Sequence, residues 1–109
     1  MQNIKYDFTG RHALVTGGAQ GIGFQISRHF LAAGAQVTIW DYSAEALNQA
    51  RRELSVYDAR LHTHPVDVGD RATCAQAAKA LKAPLHILVN NAGMGLPAGP
   101  MEDIPLDKW

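Results

Sequence analysis

Four of the ten glycines in this 109-residue chain lie in the segment Thr16-Gly17-Gly18-Ala19-Gln20-Gly21-Ile22-Gly23. Before it comes a short apolar run, Ala13-Leu14-Val15; within and after it, Ile22, Ile26 and Phe30 recur every fourth residue. The run reads as a buried strand and the recurrence as an amphipathic helix. A strand that feeds a helix through so few residues must turn sharply. Glycine supplies the dihedrals for that turn and the space for helix and strand to approach. The segment therefore commits the N-terminal region to a strand–turn–helix unit.

The alternation continues along the chain. Val37 to Trp40, Leu61 to Val68 and Leu85 to Val89 read as three further strands. Leu47, Ala50 and Leu54 share one helical face behind Ser43, and Cys74, Ala78 and Leu81 share another behind Asp70. Ser43 and Asp70 are both N-cap candidates. Gly34 stands where the end of the first helix favours a left-handed residue. Strands that alternate with helices predict an α/β fold, a doubly wound parallel sheet with right-handed crossovers. Parallel strands are covered on both faces, so residues 85–89 are expected inside a larger sheet. The Gly- and Pro-rich residues after them, with Pro97, Pro100 and Pro105, read as a loop and the start of a helix.

A glycine-rich turn that opens a helix is suited to an anion. Unpaired backbone N–H groups and the helix dipole favour a phosphate there, and side chains would hold it off. The nucleoside-triphosphate loop GxxxxGK[S/T] is excluded, because the lysine is absent. The spacing GxGxxG is not met either; the pattern is TGxxxGxG. A dinucleotide pyrophosphate is the ligand expected at Gly17, Gly18, Gln20, Gly21, Ile22 and Gly23, in a Rossmann-type domain. Asp41 ends the second strand, roughly 20 residues past the turn, where an acid meets the adenosine ribose. Its carboxylate would accept from the ribose hydroxyls and repel the extra phosphate of NADP. No arginine or lysine stands at Gln20 or Tyr42 to receive that phosphate, so NAD is the expected cofactor. Tyr42 reads either as a stacking partner for the adenine or as a cap of the second helix.

With these residues the chain resembles the short-chain dehydrogenase/reductase family. Asp67-Val68 stands where that family has an acidic–apolar pair, and Asn90-Asn91-Ala92-Gly93 reproduces its NNAG motif. Leu106-Asp107-Lys108-Trp109 resembles the segment that leads into its next long helix. The resemblance implies that Asp67 reads the adenine amino group and that the Val68 N–H meets the ring. It implies that backbone groups at Asn90, Ala92 and Gly93 line the ribose. It also implies an NAD-dependent oxidoreductase that moves hydride between the nicotinamide and an alcohol or carbonyl substrate.

The family's catalytic serine and Tyr-x-x-x-Lys pair are not found. Tyr6, Tyr42 and Tyr57 are followed at the fourth place by Gly10, Ala46 and Leu61. Free tyrosine titrates near ~10, so such an acid needs its lysine to work near neutral pH. Those residues are expected beyond Trp109. Residues 1–109 are thus expected to form a partial NAD(P)-binding domain, truncated after the fourth strand and inactive alone. The rival readings are a non-catalytic dinucleotide-binding module, a degenerate paralogue, and a product that folds poorly.

Lysine plus arginine equals aspartate plus glutamate, at 10 each, which gives no electrostatic case for nucleic acid or anionic membrane. No segment reaches membrane-spanning length, and the start lacks an apolar signal region, so a cytoplasmic protein is expected. The single cysteine, Cys74, excludes an internal disulfide and reads as a small packing residue. His62 and His64 point to one sheet face but have no further ligands near in sequence to complete a metal site. Arg51-Arg52 beside Glu53 reads as a solvated helix face. An apolar fourth strand without its next neighbour invites association, so a homo-oligomer is expected.

Overall fold

The computed structural model describes residues 6–81 and 83–91. In chain order they form β1 (His12–Thr16), α1 (Gly21–Ala32), β2 (Gln36–Asp41), α2 (Ala44–Glu53), a 3-10 helix (Ser55–Arg60), β3 (Leu61–Pro65), α3 (Arg71–Lys79) and β4 (Ile87–Asn90). The four strands are parallel and lie in the order β3-β2-β1-β4. After β3 the chain crosses behind β1 to add β4, so the winding reverses between β1 and β4. All four strands end along the same edge of the sheet.

Alternation along the strands sends Ala13, Val15, Val37, Ile39 and Leu61 to one face. There they pack with Leu31 of α1 and with Leu47, Ala50 and Leu54 at α2. The opposite face carries a smaller cluster of Leu14, Trp40 and Val66, covered by Val68 and by Cys74 and Ala77 of α3. Helices on both faces make the sheet doubly wound, as the alternation of segments predicts. Every residue of β1 is buried.

The helix ends follow the local chemistry. Ser43 Oγ accepts from the Ala46 N–H at 3.1 Å, and Asp70 Oδ1 accepts from the Thr73 N–H at 3.2 Å. That backbone hydrogen bond, with Thr73's side chain second, holds the Asp70 carboxyl below its ordinary value. Gly34 adopts φ 99°, the left-handed conformation expected after α1.

Three details differ from the sequence reading. The buried face of α1 is Gly23, Ser27 and Leu31; Ile22 is 74 % exposed, while Ile26 and Phe30 flank the core. Small residues allow the closest approach, so Gly23 and Ser27 face the sheet and the bulky stripe rotates aside. The packing face of α3 is likewise Cys74 and Ala77, whereas Ala78 is exposed. The terminal strands are also shorter or shifted. β3 stops at Pro65, although the Val66 N–H still donates to the Asp41 carbonyl of β2 at 3.0 Å. β4 starts at Ile87, because the His86 ring Nδ1 takes the His12 N–H at 3.0 Å in place of a backbone acceptor.

Coverage on both faces does not extend to β4 among the described residues, where Leu88 is 61 % exposed. The 3-10 helix, unforeseen in the sequence, has a tethering role. Arg60 Nη1 donates to the carbonyls of Leu31 and Ala35, at 2.9 and 2.6 Å, and so ties the end of α1 to the start of β2.

Leu31→Ala should cost about 2–5 kcal/mol of stability by opening a cavity in the larger core. Ile22→Ala, at an exposed position, should change it by no more than about 0.5 kcal/mol. Chemical denaturation of the two variants reads the orientation of α1; equal losses would place Ile22 in the core after all.

Candidate functional site

The loop between β1 and α1 is built by backbone contacts. Gly17 has φ 64° and donates its N–H to the Trp40 carbonyl at 2.7 Å, which anchors the turn to β2. At Gly23 a Cβ would lie 2.2 Å from the Gly17 carbonyl oxygen and 2.5 Å from Asn91 Nδ2. No side chain fits there, since nearby backbone has to move to admit one. Gly18 is nearly as confined, with Ile39, Ser27 and the Val15 carbonyl all 3.0 Å from a Cβ. Gly21 differs: it faces open space and is needed for its φ of 57°. Two polar side chains hold the turn closed. Ser27 Oγ reaches the Gly18 carbonyl at 3.4 Å, besides the Gly23 carbonyl of its own helix at 2.9 Å, and Asn91 Nδ2 donates to the Gly17 carbonyl at 3.3 Å.

The turn leads into α1 at Gln20, whose extended backbone forms the N-cap with no side-chain hydrogen bond. No acid lies in the first turn of α1. By contrast, α2 and α3 are capped by their own side chains. The positive end of the α1 dipole is therefore left for a group from outside.

Asp41, at the end of β2, is only 5 % exposed. Its Oδ2 accepts from the Ala19 N–H at 3.3 Å and its Oδ1 from the Ser43 N–H at 3.1 Å. One carboxylate thus joins the glycine turn to the start of α2. Tyr42 beside it is 78 % exposed, and Ser43 rather than Tyr42 caps α2. A cleft of about 370 Å³ opens next to this junction, lined by Ala19, Gln20, Ser43, Glu45, Ala46, Gln49 and Arg52. Arg52 is exposed, as the sequence reading of a solvated helix face expects, and it also borders this cleft.

Asp67 follows β3, and its Oδ1 accepts from the Gly69 N–H at 2.9 Å in a tight turn. Val68 packs against the smaller core cluster. Asn90 ends β4 beside Thr16, which donates from Oγ1 to Asn90 Oδ1 at 3.2 Å and accepts the Asn91 N–H at 2.9 Å. The glycine turn, Asp41, Asp67 and Asn90 consequently share one sheet edge, at the β1/β4 reversal and beside it. In open α/β sheets such an edge is where ligands bind. Ala92 and Gly93 lie outside the described residues, as do Pro97, Pro100, Pro105 and Leu106 to Trp109.

Thr16 and Asn91 entered the sequence reading only as members of the TGxxxGxG and NNAG motifs, without a ligand role, and Ser27 did not enter it at all. Ser27 left one trace in the sequence, a polar residue one helical turn past Gly23. His62 accepts from Gln36 Nε2 at 2.7 Å. With His64 and the buried His12 it lines a cavity of about 190 Å³. Among the described residues no group of three or more His, Cys, Asp or Glu is placed to hold a metal. Burial, and then the charges of Asp70 and Asp67, push the Cys74 thiol up, which suits a packing residue rather than a nucleophile.

Gly23→Ala should cost about 3 kcal/mol or more, at the upper end for overpacking. Gly21→Ala should cost about 1–2 kcal/mol, from φ alone. Denaturation midpoints of the two variants check the distinction, and similar values would mean the Gly17–Gly23 contact yields readily.

A family model described as short chain dehydrogenase matches residues 11–109. The chain is 41 % identical over 107 residues to the rhamnolipids biosynthesis 3-oxoacyl-[acyl-carrier-protein] reductase of Pseudomonas aeruginosa, covering 95 % of this chain. It is 35 % identical over 105 residues to the 2-dehydro-3-deoxy-L-rhamnonate dehydrogenase (NAD(+)) of a Sphingomonas strain, covering 94 %. In each case it spans 41 % of the relative's length. The Pseudomonas aeruginosa RhlG/NADP active-site complex superposes with a TM-score of 0.72 at 43 % identity, over 82 % of this chain and 37 % of that one. A match that spans nearly the whole chain shows that this protein belongs to the short-chain dehydrogenase family.

Proposed function

We propose that this chain is the dinucleotide-binding part of an NAD-dependent oxidoreductase, acting on an alcohol or carbonyl substrate. The observation that carries the reading is the uncapped start of α1 behind a turn that excludes side chains, at the edge that also bears Asp41. A pyrophosphate would bind the free N–H groups of Gly21, Ile22 and Gly23, with Gly17, Gly18 and Gln20 around it. Asp41 would meet the adenosine ribose, and Tyr42, exposed and not needed as a cap, would stack by the adenine. Asp67 and Val68 would border the base; Asn90, Ala92 and Gly93 would lie toward the nicotinamide ribose. The bound nicotinamide supplies the hydride chemistry, and these residues hold and orient it.

Relatives support a nicotinamide cofactor from both sides: one is named for NAD(+), and one structure is an NADP complex. For this chain NAD is favoured, because Asp41 is acidic and Gln20 is neutral. We place the protein in the cytoplasm and locate its self-association at the exposed Leu88 edge of β4. A nucleic-acid or membrane partner is not part of this reading.

Calorimetric titration should show NAD binding more tightly than NADP, and Gln20→Arg should narrow the gap by adding a cation beside the ribose. Equal affinities in the wild type would overturn the NAD assignment. Asp41→Ala should weaken both nucleotides, since it also releases the Ala19 and Ser43 N–H groups. The 109-residue chain alone should transfer no hydride to or from alcohols or ketones, for want of a Tyr-x-x-x-Lys acid. Sustained NADH formation above a host-protein control would contradict this.

A further inference from the structure

We infer that Arg52 is a second determinant of cofactor choice, one that gives the site a residual affinity for an adenosine ribose carrying a 2′-phosphate. The inference rests on the nucleotide reading above and adds a residue to it. Ala19 and Ser43, whose N–H groups the Asp41 carboxylate holds, both line the cleft beside the glycine turn. A ribose placed against Asp41 would therefore direct a 2′ substituent into that cleft.

The cleft's chemistry suits such a group. Glu45, Gln49 and Arg52 are spaced four and three apart, on one face of α2 turned toward the glycine turn. Arg52 is the only cation in the lining, and it forms no ion pair among the described residues. Its Nη2 donates to Gln49 Oε1 at 2.5 Å, which steadies the side chain and leaves most of its five N–H donors unused. The Ser43 hydroxyl accepts from Ala46 and donates to no described residue, so its proton is available as well. The amides of Gln20 and Gln49 complete the set of donors.

Charge of the other sign is present but muted. Asp41 is buried and already accepts two N–H groups, so its repulsion of a phosphate is partly compensated. Glu45 opposes Arg52 within the lining. Selectivity for NAD is thus a balance among three charges, where the sequence offered a single carboxylate. Replacing Arg52 tilts that balance further toward NAD.

The test uses two adenosine nucleotides that lack the nicotinamide: adenosine 2′,5′-bisphosphate and adenosine 5′-phosphate. Each is titrated by calorimetry into the intact protein as wild type, Arg52→Ala, Arg52→Lys and Glu45→Gln. Arg52→Ala should weaken the bisphosphate about three- to tenfold, as for a charged hydrogen bond in a partly exposed site. It should leave the 5′-phosphate within about 1.5-fold, whereas Arg52→Lys should retain most of the bisphosphate affinity and Glu45→Gln should raise it. Added salt should shrink the Arg52 effect. An unchanged ratio of the two affinities in Arg52→Ala, or an equal loss of both, overturns this role for Arg52 and leaves the cofactor reading standing. A wild type that binds neither nucleotide overturns both.

Discussion

The contact on which this architecture depends is between two pieces of backbone. At Gly23 the first turn of α1 lies so close to the Gly17 carbonyl that a Cβ would sit 2.2 Å from its oxygen. That proximity decides the orientation of α1, because the helix must offer its smallest residues to the sheet. Leu31 then enters the core two turns further on, and Ile22 faces outward beside the loop. The same proximity keeps the start of the helix free of side chains. Its uncompensated N–H groups are thereby held at the sheet edge, and the arrangement suits a phosphate for the same reason that it requires glycine.

Asp41 has two roles that meet in one carboxylate. The NAD reading needs its charge near a ribose, while the fold uses its two oxygens to join the glycine turn to α2. A loss of nucleotide affinity after its removal therefore mixes recognition with loop geometry. Asn91 and Ser27 serve the loop in a simpler way, since each donates to a carbonyl of the turn, Asn91 to Gly17 and Ser27 to Gly18. The polar groups beneath the loop are thus largely occupied with one another. The groups that remain for a ligand are the N–H groups at the start of α1 and the side chains that line the cleft.

The two faces of the sheet are unequal. The face under α1 and α2 has a continuous apolar core, whereas the other face has a small cluster under α3 and a polar end around His12, Thr38 and His62. His12 is buried yet satisfied. Its Nε2 accepts from Thr38 Oγ1 at 2.7 Å and its Nδ1 donates to the Ala83 carbonyl at 3.2 Å. This end lies away from the strand C-termini, so its histidines belong to the packing of the sheet rather than to the candidate site.

The sequence by itself determined the strand–helix alternation, the parallel sheet, the caps at Ser43 and Asp70, and the left-handed residue at Gly34. Each of these follows from local periodicity or from a side chain that bonds its own turn. It also determined which segments form the functional edge, because every strand of a parallel sheet ends on the same side. Tertiary structure alone decided the rest. The stripe Ile22, Ile26 and Phe30 suggested one face of α1, but the close approach at Gly23 and Ser27 imposed another. The place of Arg52 in the cleft depends on how α2 lies against the glycine turn, a distance that no spacing in the sequence encodes. The second role of Asp41 depends likewise on a turn 22 residues away. Periodicity reports which residues are apolar, whereas orientation is set by which residues are small enough to touch.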